Sequence, residues 1–195
     1  MSRRGEQTEG TRAALLAAGR ELFSERGYAR VGTEEIVRRA RVTQGALCHY
    51  FADKKDLFRG VHHQMESELT EAIAAELAAA SAGDPFEALA TGVRSFLDAC
   101  TDPRLARIVL VEAPSVLGWA EWREIDERYG LGLVMAGLQG AMHAGVLREQ
   151  PVKPLAHLIL GALGEAAMLI AHAHDPAVVR AEVEPPVLTL LEGLR

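Results

Sequence analysis

The chain has 195 residues, of which 49% are hydrophobic and 25% charged, with a formal net charge of −6. This composition is that of an ordinary soluble globular protein, long enough for one sizeable domain or two small ones that share a core. Two cysteines, Cys48 and Cys100, are too few for a disulfide framework and indicate a reducing compartment, the cytoplasm. The charged N-terminus is followed by no apolar stretch, so we expect no signal peptide.

The charge is unevenly distributed along the chain. Residues 1–60 hold twelve Lys and Arg against eight Asp and Glu, a net of +4, whereas residues 61–195 hold nine against nineteen, a net of −10. A basic head on an acidic body is expected where only the head meets phosphate. Chance clustering would give a similar split, so charge alone does not decide between the two.

The pattern of apolar residues predicts an all-α chain, because helical spacing recurs throughout and no run alternates over a strand's length. The caps Thr33, Thr43 and Asp53 each open a helix. We predict helices over residues 11–26, 34–40, 44–50, 54–80, 85–100, 103–112, 122–144, 154–174 and from 176 to a break at Pro185-Pro186, followed by a last short helix. The longest apolar run is interrupted by His157, Glu165 and His172, which favours a buried helix over a membrane span.

Residues 33–51 have the spacing of a helix-turn-helix, with two short helices joined by a turn of about three residues. The apolar positions that would hold the two helices together are Ile36, Ala40, Val42, Leu47 and Phe51. The other faces of the second helix carry small or hydrogen-bonding side chains and no carboxylate. A surface that enters the major groove needs polar reach, little bulk and no anion facing phosphate.

The stretch 11–58 resembles the N-terminal domain of the TetR family of bacterial transcriptional regulators. The positions in register include Gly27-Tyr28, Thr33 with Ile36, Ala40, Val42-Thr43, Gly45, Leu47, His49-Tyr50-Phe51, Lys54 and Leu57-Phe58. The resemblance implies an all-α protein with an N-terminal three-helix helix-turn-helix DNA-binding domain, residues 1–55. It also implies a C-terminal helical ligand-binding and dimerisation domain, residues 56–195. The implied function is a homodimeric repressor that binds near-palindromic double-stranded operator DNA and is released by a small-molecule effector.

Carried over residue by residue, the resemblance implies DNA contacts at Thr33, Arg41, Thr43, Gln44, Gly45, His49, Tyr50 and Lys54. Gln44 could pair bidentately with adenine, and Lys54 would bind a phosphate. Two positions depart from the family pattern. Arg41 stands where glycine is common, at a cost of about 1 kcal/mol if its φ is positive, and Cys48 stands where tyrosine is usual.

Two apolar groups in the body are candidates for binding surfaces. One would line an effector cavity, although the same residues could equally be core: Phe96, Leu117, Trp119, Trp122, Met135, Leu138 and Met142. Nearby acidic residues favour a neutral or cationic apolar effector over an anionic one. The other would form the dimer interface, with internal core as the alternative: Gly161, Ala162, Glu165, Met168, Leu169, Leu191 and Leu194.

Catalysis and metal binding have little support in the sequence. Cys48 and His49 are adjacent on a helix, so they point in different directions and lack a third orienting group. The pairs His62-His63 and His172/His174 lack the i, i+4 spacing of helical zinc ligands. We therefore expect no catalytic residue, no metal, no cofactor and no membrane partner. A helical enzyme would need a polar constellation that we do not find, and a helical interaction module would leave the basic head unexplained.

Overall fold

The computed structural model describes residues 3–79 and 83–195, and within these ranges every regular element is helical. Eleven helices follow in order, with a short 3₁₀ turn at Tyr28–Arg30 and two π-helical segments at Ala106–Glu112 and Glu127–Leu131. The helices are α1 Arg3–Arg26, α2 Thr33–Ala40, α3 Gln44–Tyr50, α4 Lys54–Ala79, α5 Pro85–Ala99, α6 Pro103–Leu105, α7 Ala113–Leu117, α8 Trp119–Asp126, α9 Gly132–His143, α10 Val152–Ala171 and α11 Pro176–Glu192. The all-α prediction is confirmed.

Helices α1, α2 and α3 form a small head around a core to which the start of α4 contributes. Leu15 and Phe23 of α1, Ile36 of α2 and Phe58 of α4 are completely buried there. The rings of Phe23, Tyr28 and Phe58 pack with centroids 5.3–5.7 Å apart. The two pairs that involve Phe58 are edge-on, and such packing stabilises beyond the area that it buries. The start of α4 is therefore held firmly against the head.

Helix α4 belongs to both parts of the molecule. Its 26 residues run from the head into the body, over about 39 Å at 1.5 Å per residue. Buried positions recur three and four residues apart along it, which is the period of one helix face. They are Leu57, Phe58, Val61, His62, Met65, Glu66 and Ile73.

The body is built on α4, α5, α9, α10 and α11. By length and composition alone α10 could cross a membrane. Its packing against α9, α11 and the first π-helical segment explains its apolar character instead, and it buries seven residues, from Leu155 to Ile170. The remaining face of α10 is exposed, at Leu158 and Leu169 among others.

Helix α1 begins at Arg3, eight residues before the predicted start at residue 11, and three further predicted boundaries were wrong. Pro114 lies at the start of α7, directly after the first π-helical segment, and the helical path continues through it to a break at Gly118, with φ 95°. Helix α11 continues through Pro185 and Pro186. Both prolines, and the residues one turn before them, are exposed, so the carbonyls that lose a partner face solvent.

The third difference is at the start of α2. Thr33 is the first helical residue and Gly32 the cap, with no side-chain hydrogen bond to a backbone N–H. The caps predicted at Thr43 and Asp53 are confirmed. Thr43 Oγ1 accepts from the N–H of Ala46 at 3.2 Å, and Asp53 Oδ1 accepts from the N–H of Asp56 at 2.7 Å.

Candidate functional sites

The two helices of the helix-turn-helix are held by their inner faces. Ile36, Leu47 and Phe51 are 0%, 3% and 4% exposed, while Ala40 and Val42 are partly buried against the same core. The predicted apolar positions are therefore confirmed as the packed side of the motif. Because this side is fixed, the opposite side of α3 is presented at a defined angle.

The outward side of α3 is free of bulk and of acid. Thr43, Gln44, Gly45, Cys48 and His49 are all exposed, and Tyr50 is half-buried. A Cβ built on Gly45 would meet nothing closer than Thr43 Oγ1, at 3.9 Å. Space for another molecule is therefore available directly against the backbone at this position.

Arg41 adopts the left-handed conformation, with φ 56° and ψ 39°. It is the one non-glycine residue with positive φ in the described part of the chain. Such backbone disfavours a side chain with a Cβ by about 1 kcal/mol or more. The guanidinium is exposed, so a charge at the turn between α2 and α3 stands where glycine would fit with less strain.

Lys54 is placed differently from the expectation of a phosphate ligand. Its Nζ donates to the carbonyl oxygens of Tyr28 and Val31, each at 3.0 Å, and lies 4.1 Å from the centroid of the Tyr28 ring. An ammonium with two carbonyl acceptors and an aromatic face is already satisfied inside the protein. Lys54 ties the turn after α1 to the start of α4.

Other basic groups of the head remain available. Within residues 3–79 and 83–195, the side chains of Arg30, Arg38 and Arg41 make no hydrogen bond or ion pair, unlike Arg26 and Arg39, which pair with Glu35 and Glu21. Arg30 and Arg38 were not among the residues predicted from the sequence. The charge count of the head pointed to them only as a group, because sequence does not show which arginines are already paired.

The head is joined to the body by the first π-helical segment. Glu112 Oε2 accepts the backbone N–H of Tyr28 at 2.6 Å. From the same segment, Arg107 donates to the carbonyl oxygens of Ser24 at 3.0 Å and Glu25 at 2.7 Å. A second link lies at the start of α4, where Lys55 donates to Leu117 O at 3.1 Å.

A cavity of about 260 Å³ lies inside the body, between α4, α5, α9, α10 and α11. Most of its lining is aliphatic, with Phe96 as the aromatic contribution and Leu191 closing the side of α11. Its polar lining consists of Glu66, Thr70 and Asp126, and its lining residues include no lysine, arginine or histidine.

Two acids stand at the polar end of the cavity. Burial raises the pKa of Glu66 to about 8, with a further contribution from the nearby charge of Asp126. Burial also raises the pKa of Asp126 to about 6, against the opposing effect of Arg123, whose Nη1 lies 3.3 Å from Asp126 Oδ2. Glu66 is therefore mostly protonated at neutral pH.

His62 lies behind Glu66, one turn earlier on α4. Its ring is completely buried, and neither nitrogen has a hydrogen-bond partner within the described residues. Nε2 is 3.6 Å from Glu66 Oε1. Burial lowers the pKa of His62 to about 4, so the ring is neutral at pH 7 and offers Glu66 no compensating charge.

The cavity is not where the sequence predicted one. Of the seven expected lining residues, Phe96 and Leu138 line it. Trp119 is 67% exposed, and Trp122 is core, with its Nε1 donating to Val109 O at 3.0 Å. The others also lie outside the lining, with Leu117 and Met142 buried and Met135 partly buried in the core. After the break at Gly118, Trp122 contacts the first π-helical segment while Trp119 faces solvent.

Glu66 is the residue that sequence reasoning missed. The signal was present, since Phe58, His62, Glu66 and Ile73 follow one face of α4 at helical spacing. A carboxylate on the apolar side of a long helix must either pair or stand in a cavity. A polar residue at a buried position of the apolar face of α4 is therefore the sequence signal that indicates Glu66.

The predicted dimer residues divide into two groups. Gly161, Glu165 and Leu169 are exposed along one side of α10, and Ala162, Met168 and Leu194 are partly buried. Leu191 was assigned wrongly, because it is 1% exposed within the single chain and lines the cavity. Its neighbour Leu190, 57% exposed, is the leucine of α11 that faces outward.

Comparison with known families accounts for both parts of the molecule. Residues 15–61 match the family described as bacterial regulatory proteins, tetR family. Residues 86–194, more than half of the chain, match the tetracyclin repressor-like C-terminal domain. The chain belongs to the TetR family. It has the fold of these DNA-binding transcriptional regulators rather than that of an enzyme.

Individual relatives agree with this assignment. A TetR-family transcriptional regulator from Pectobacterium atrosepticum is 35% identical, with a TM-score of 0.85 over 100% of this chain and 97% of that one. The TetC protein of transposon Tn10 from Escherichia coli is 27% identical over 80% of this chain and 78% of its own length. The regulator AcrR of Shigella flexneri is 34% identical over 43% of this chain and 39% of its own.

Proposed function

We propose that this TetR-family protein is a sequence-specific repressor, released from a near-palindromic operator by a small molecule that enters the body. The observation that supports it best is the outward face of α3, which is exposed and free of carboxylates while its inner face is locked in the core. Base edges in the major groove are read by such a helix. The protein would act in the cytoplasm, where operator DNA lies.

On this proposal, Gln44, Gly45 and His49 meet base edges or the adjacent backbone. Thr33, Thr43, Tyr50 and Arg41 meet phosphates and sugars, with Arg38 and Arg30 as further cations beside them. Lys54 acts indirectly, by holding the turn after α1. Contacts to phosphate orient the protein on the duplex, and contacts to bases provide the sequence preference.

A dimer follows from the size of one head. A single recognition helix buries too little surface for tight specific binding, and soluble oligomers are mostly two-fold symmetric. The side of α10 that carries Leu158, Gly161 and Leu169, together with Leu190 of α11, is exposed in the single chain and mostly apolar, with Glu165 as its charged member. We place the partner subunit there, with the operator half-sites one helical turn or a multiple apart.

The cavity is the proposed effector site, in place of the tryptophan region expected from the sequence. Helix α4 lines it with five residues, Glu66 to Leu77, and reaches the head at its other end. An effector shifts DNA affinity only if it binds the two arrangements of the head unequally. Because α4 lines the cavity and also contacts the head, a ligand in the cavity can bind the two arrangements of the head with different affinities.

The test is DNA binding with purified protein. The promoter next to the protein's own gene should shift in a gel assay, and Gln44→Ala should weaken binding by about 1–3 kcal/mol at one base pair per half-site. Glu71→Gln, on the exposed side of α4, is a matched control and should bind as the wild type does. Unchanged base preferences across an operator library would remove Gln44 from the groove.

A further inference from the structure

The polar end of the cavity holds a buried carboxyl group that lacks a hydrogen-bond partner in the described part of the chain. Glu66 has a side chain 9% exposed, and within the described residues it makes no hydrogen bond. Its near neighbours are neutral or acidic: His62 at 3.6 Å, Cys100 after α5, and Asp126 of α8. A buried carboxyl group without a hydrogen-bond partner is costly, and this one belongs to the lining of a cavity that is mostly aliphatic.

We propose that the cavity binds an apolar monocation, a primary or secondary ammonium on a hydrocarbon chain or ring, with Glu66 as its direct anionic partner. The inference rests on the proposed effector site and names the ligand class that the site takes. The ammonium donates to the Glu66 carboxylate, and the hydrocarbon lies against Leu163, Phe96 and the other aliphatic lining. Asp126 adds a second negative charge that Arg123 already balances in part.

Three other ligand classes fit less well. An anion would meet no base among the lining residues and would lie near the negative charge of Asp126, at a like-charge cost. A plain hydrocarbon would leave the Glu66 carboxyl group unpartnered. An alcohol would satisfy one hydrogen bond but gain no charge-assisted interaction, which is about twice as strong.

The size of the cavity limits the ligand. A volume of about 260 Å³ lies just below the range of about 300–1,000 Å³ of most ligand pockets, so we expect an occupant smaller than most drug-sized ligands. Gly137 shows how closely the wall is packed, since a Cβ there would stand 2.7 Å from Leu89 Cδ2. A seven-carbon chain with one head group is a suitable probe.

Binding is coupled to a proton. In the empty cavity the raised pKa of Glu66, about 8, keeps the group protonated at neutral pH. When the ammonium binds, the Glu66 O–H bond breaks, the proton leaves to solvent, and the carboxylate accepts from the ammonium N–H. The affinity for a cation therefore rises with pH up to about 8. At pH values where Glu66 is still mostly protonated, the rise is about tenfold per pH unit. The affinity for an alcohol should not change with pH.

The experiment uses heptan-1-amine, heptan-1-ol and heptanoate with the full-length protein, by calorimetry and thermal shift from pH 6 to 8.5. We expect the amine to bind most tightly, with affinity rising with pH and a proton released. Glu66→Gln should weaken amine binding by about ten- to a hundredfold while leaving the alcohol unchanged. Glu71→Gln is the matched control and should bind as the wild type does.

Each outcome decides. Preference for the alcohol or the acid in the wild-type protein, or amine binding that Glu66→Gln leaves intact, overturns the inference while the cavity remains a ligand site. If none of the three probes binds, the inference fails together with the effector role of the cavity, although operator binding can still be measured. Amine binding that depends on Glu66 but leaves DNA affinity unchanged supports the inference and contradicts only the proposed release mechanism.

Discussion

The carboxylate of Glu112, in the body, accepts the backbone N–H of Tyr28, in the head, at 2.6 Å. Arg107 from the same π-helical segment binds the last carbonyls of α1. Each charge therefore meets the backbone group of opposite polarity at one helix end, where carbonyls and N–H groups otherwise lack partners. The joint between head and body is made by specific polar contacts rather than by shape alone.

This joint predicts a coupled pair of mutations. Gly27 has φ 83°, and a Cβ there would stand 2.5 Å from Glu112 Oε1. Gly27→Ala should therefore destabilise the protein by more than about 1 kcal/mol, and Glu112→Ala by about 1–3 kcal/mol through the unpaired N–H. In urea unfolding the double variant should lose less than the sum of the two losses, because the clash disappears. Strict additivity would show that the carboxylate does not restrict residue 27.

The turn at Arg41 predicts a stabilising mutation. Arg41→Gly removes the strain of a Cβ at φ 56° and should raise the free energy of unfolding by about 0.5–1 kcal/mol in the absence of DNA. Arg41→Lys keeps both the strain and the charge, and should leave stability unchanged. Equal stability of the glycine variant and the wild type would mean that the turn is not strained.

Salt dependence separates two basic residues of the head. Arg41→Gln should flatten the slope of log affinity against log salt by about one unit, because one phosphate contact is lost. Lys54→Met should leave the slope unchanged and instead lower stability, since the carbonyls of Tyr28 and Val31 lose their donor. A flatter slope for Lys54→Met would return Lys54 to the DNA interface.

The proposed dimer interface on the exposed side of α10 predicts that a variant with a charge placed there is a monomer. Outside the backbone of its own helix, no described atom lies within 4 Å of a Cβ built on Gly161, so Gly161→Arg should fold normally. In the proposed interface the bulk and the buried charge of the arginine should cost several kcal/mol, even where it pairs with Glu165 one turn later. Light scattering should then report one subunit, and operator affinity should collapse. Gly132→Arg, at another exposed glycine without near neighbours, is the control. A dimer that survives Gly161→Arg would place the interface elsewhere.

The titration of Glu66 predicts how stability changes with pH. Its pKa is raised in the folded state to about 8, so the folded protein binds more protons than the unfolded chain above about pH 4.5. Stability is therefore lost as pH rises towards 8, whereas the lowered pKa of His62, about 4, has the opposite effect below about pH 6.5.

Above pH 6.5 the pKa shift of His62 no longer changes stability with pH, and of these two groups only Glu66 does. Between pH 6.5 and 8 the wild type should lose up to about 2 kcal/mol relative to Glu66→Gln. Chemical unfolding at several pH values, with Glu71→Gln as the control, measures this difference. Parallel curves for wild type and Glu66→Gln would mean that the folded protein does not raise the pKa.

The parts of the fold that could be predicted from sequence are the local ones. The caps Thr43 and Asp53 and the period of Ile36 and Leu47 lie within a few residues of what they determine, so the motif at 33–51 was readable. The tryptophans were not, because residue type does not show whether Trp119 faces solvent or a cavity. The cavity is a gap between five helices, and its place depends on contacts between residues far apart in sequence, such as Leu89 with Gly137 and Leu160 with Gly130.

Helices α10 and α11 separate the cavity from the proposed dimer interface. Leu163 and Leu191 face the cavity, while Leu169 and Leu190 face outward, where we place the partner subunit. A ligand in the cavity would then contact the same two helices that form the dimer interface on their other side. If the occupant changes the association constant of the two chains by some factor, association must change the affinity for the occupant by the same factor. The sensitivity of such a switch would depend on how much of the protein the cell contains, and a cell could retune it through expression level without altering a residue.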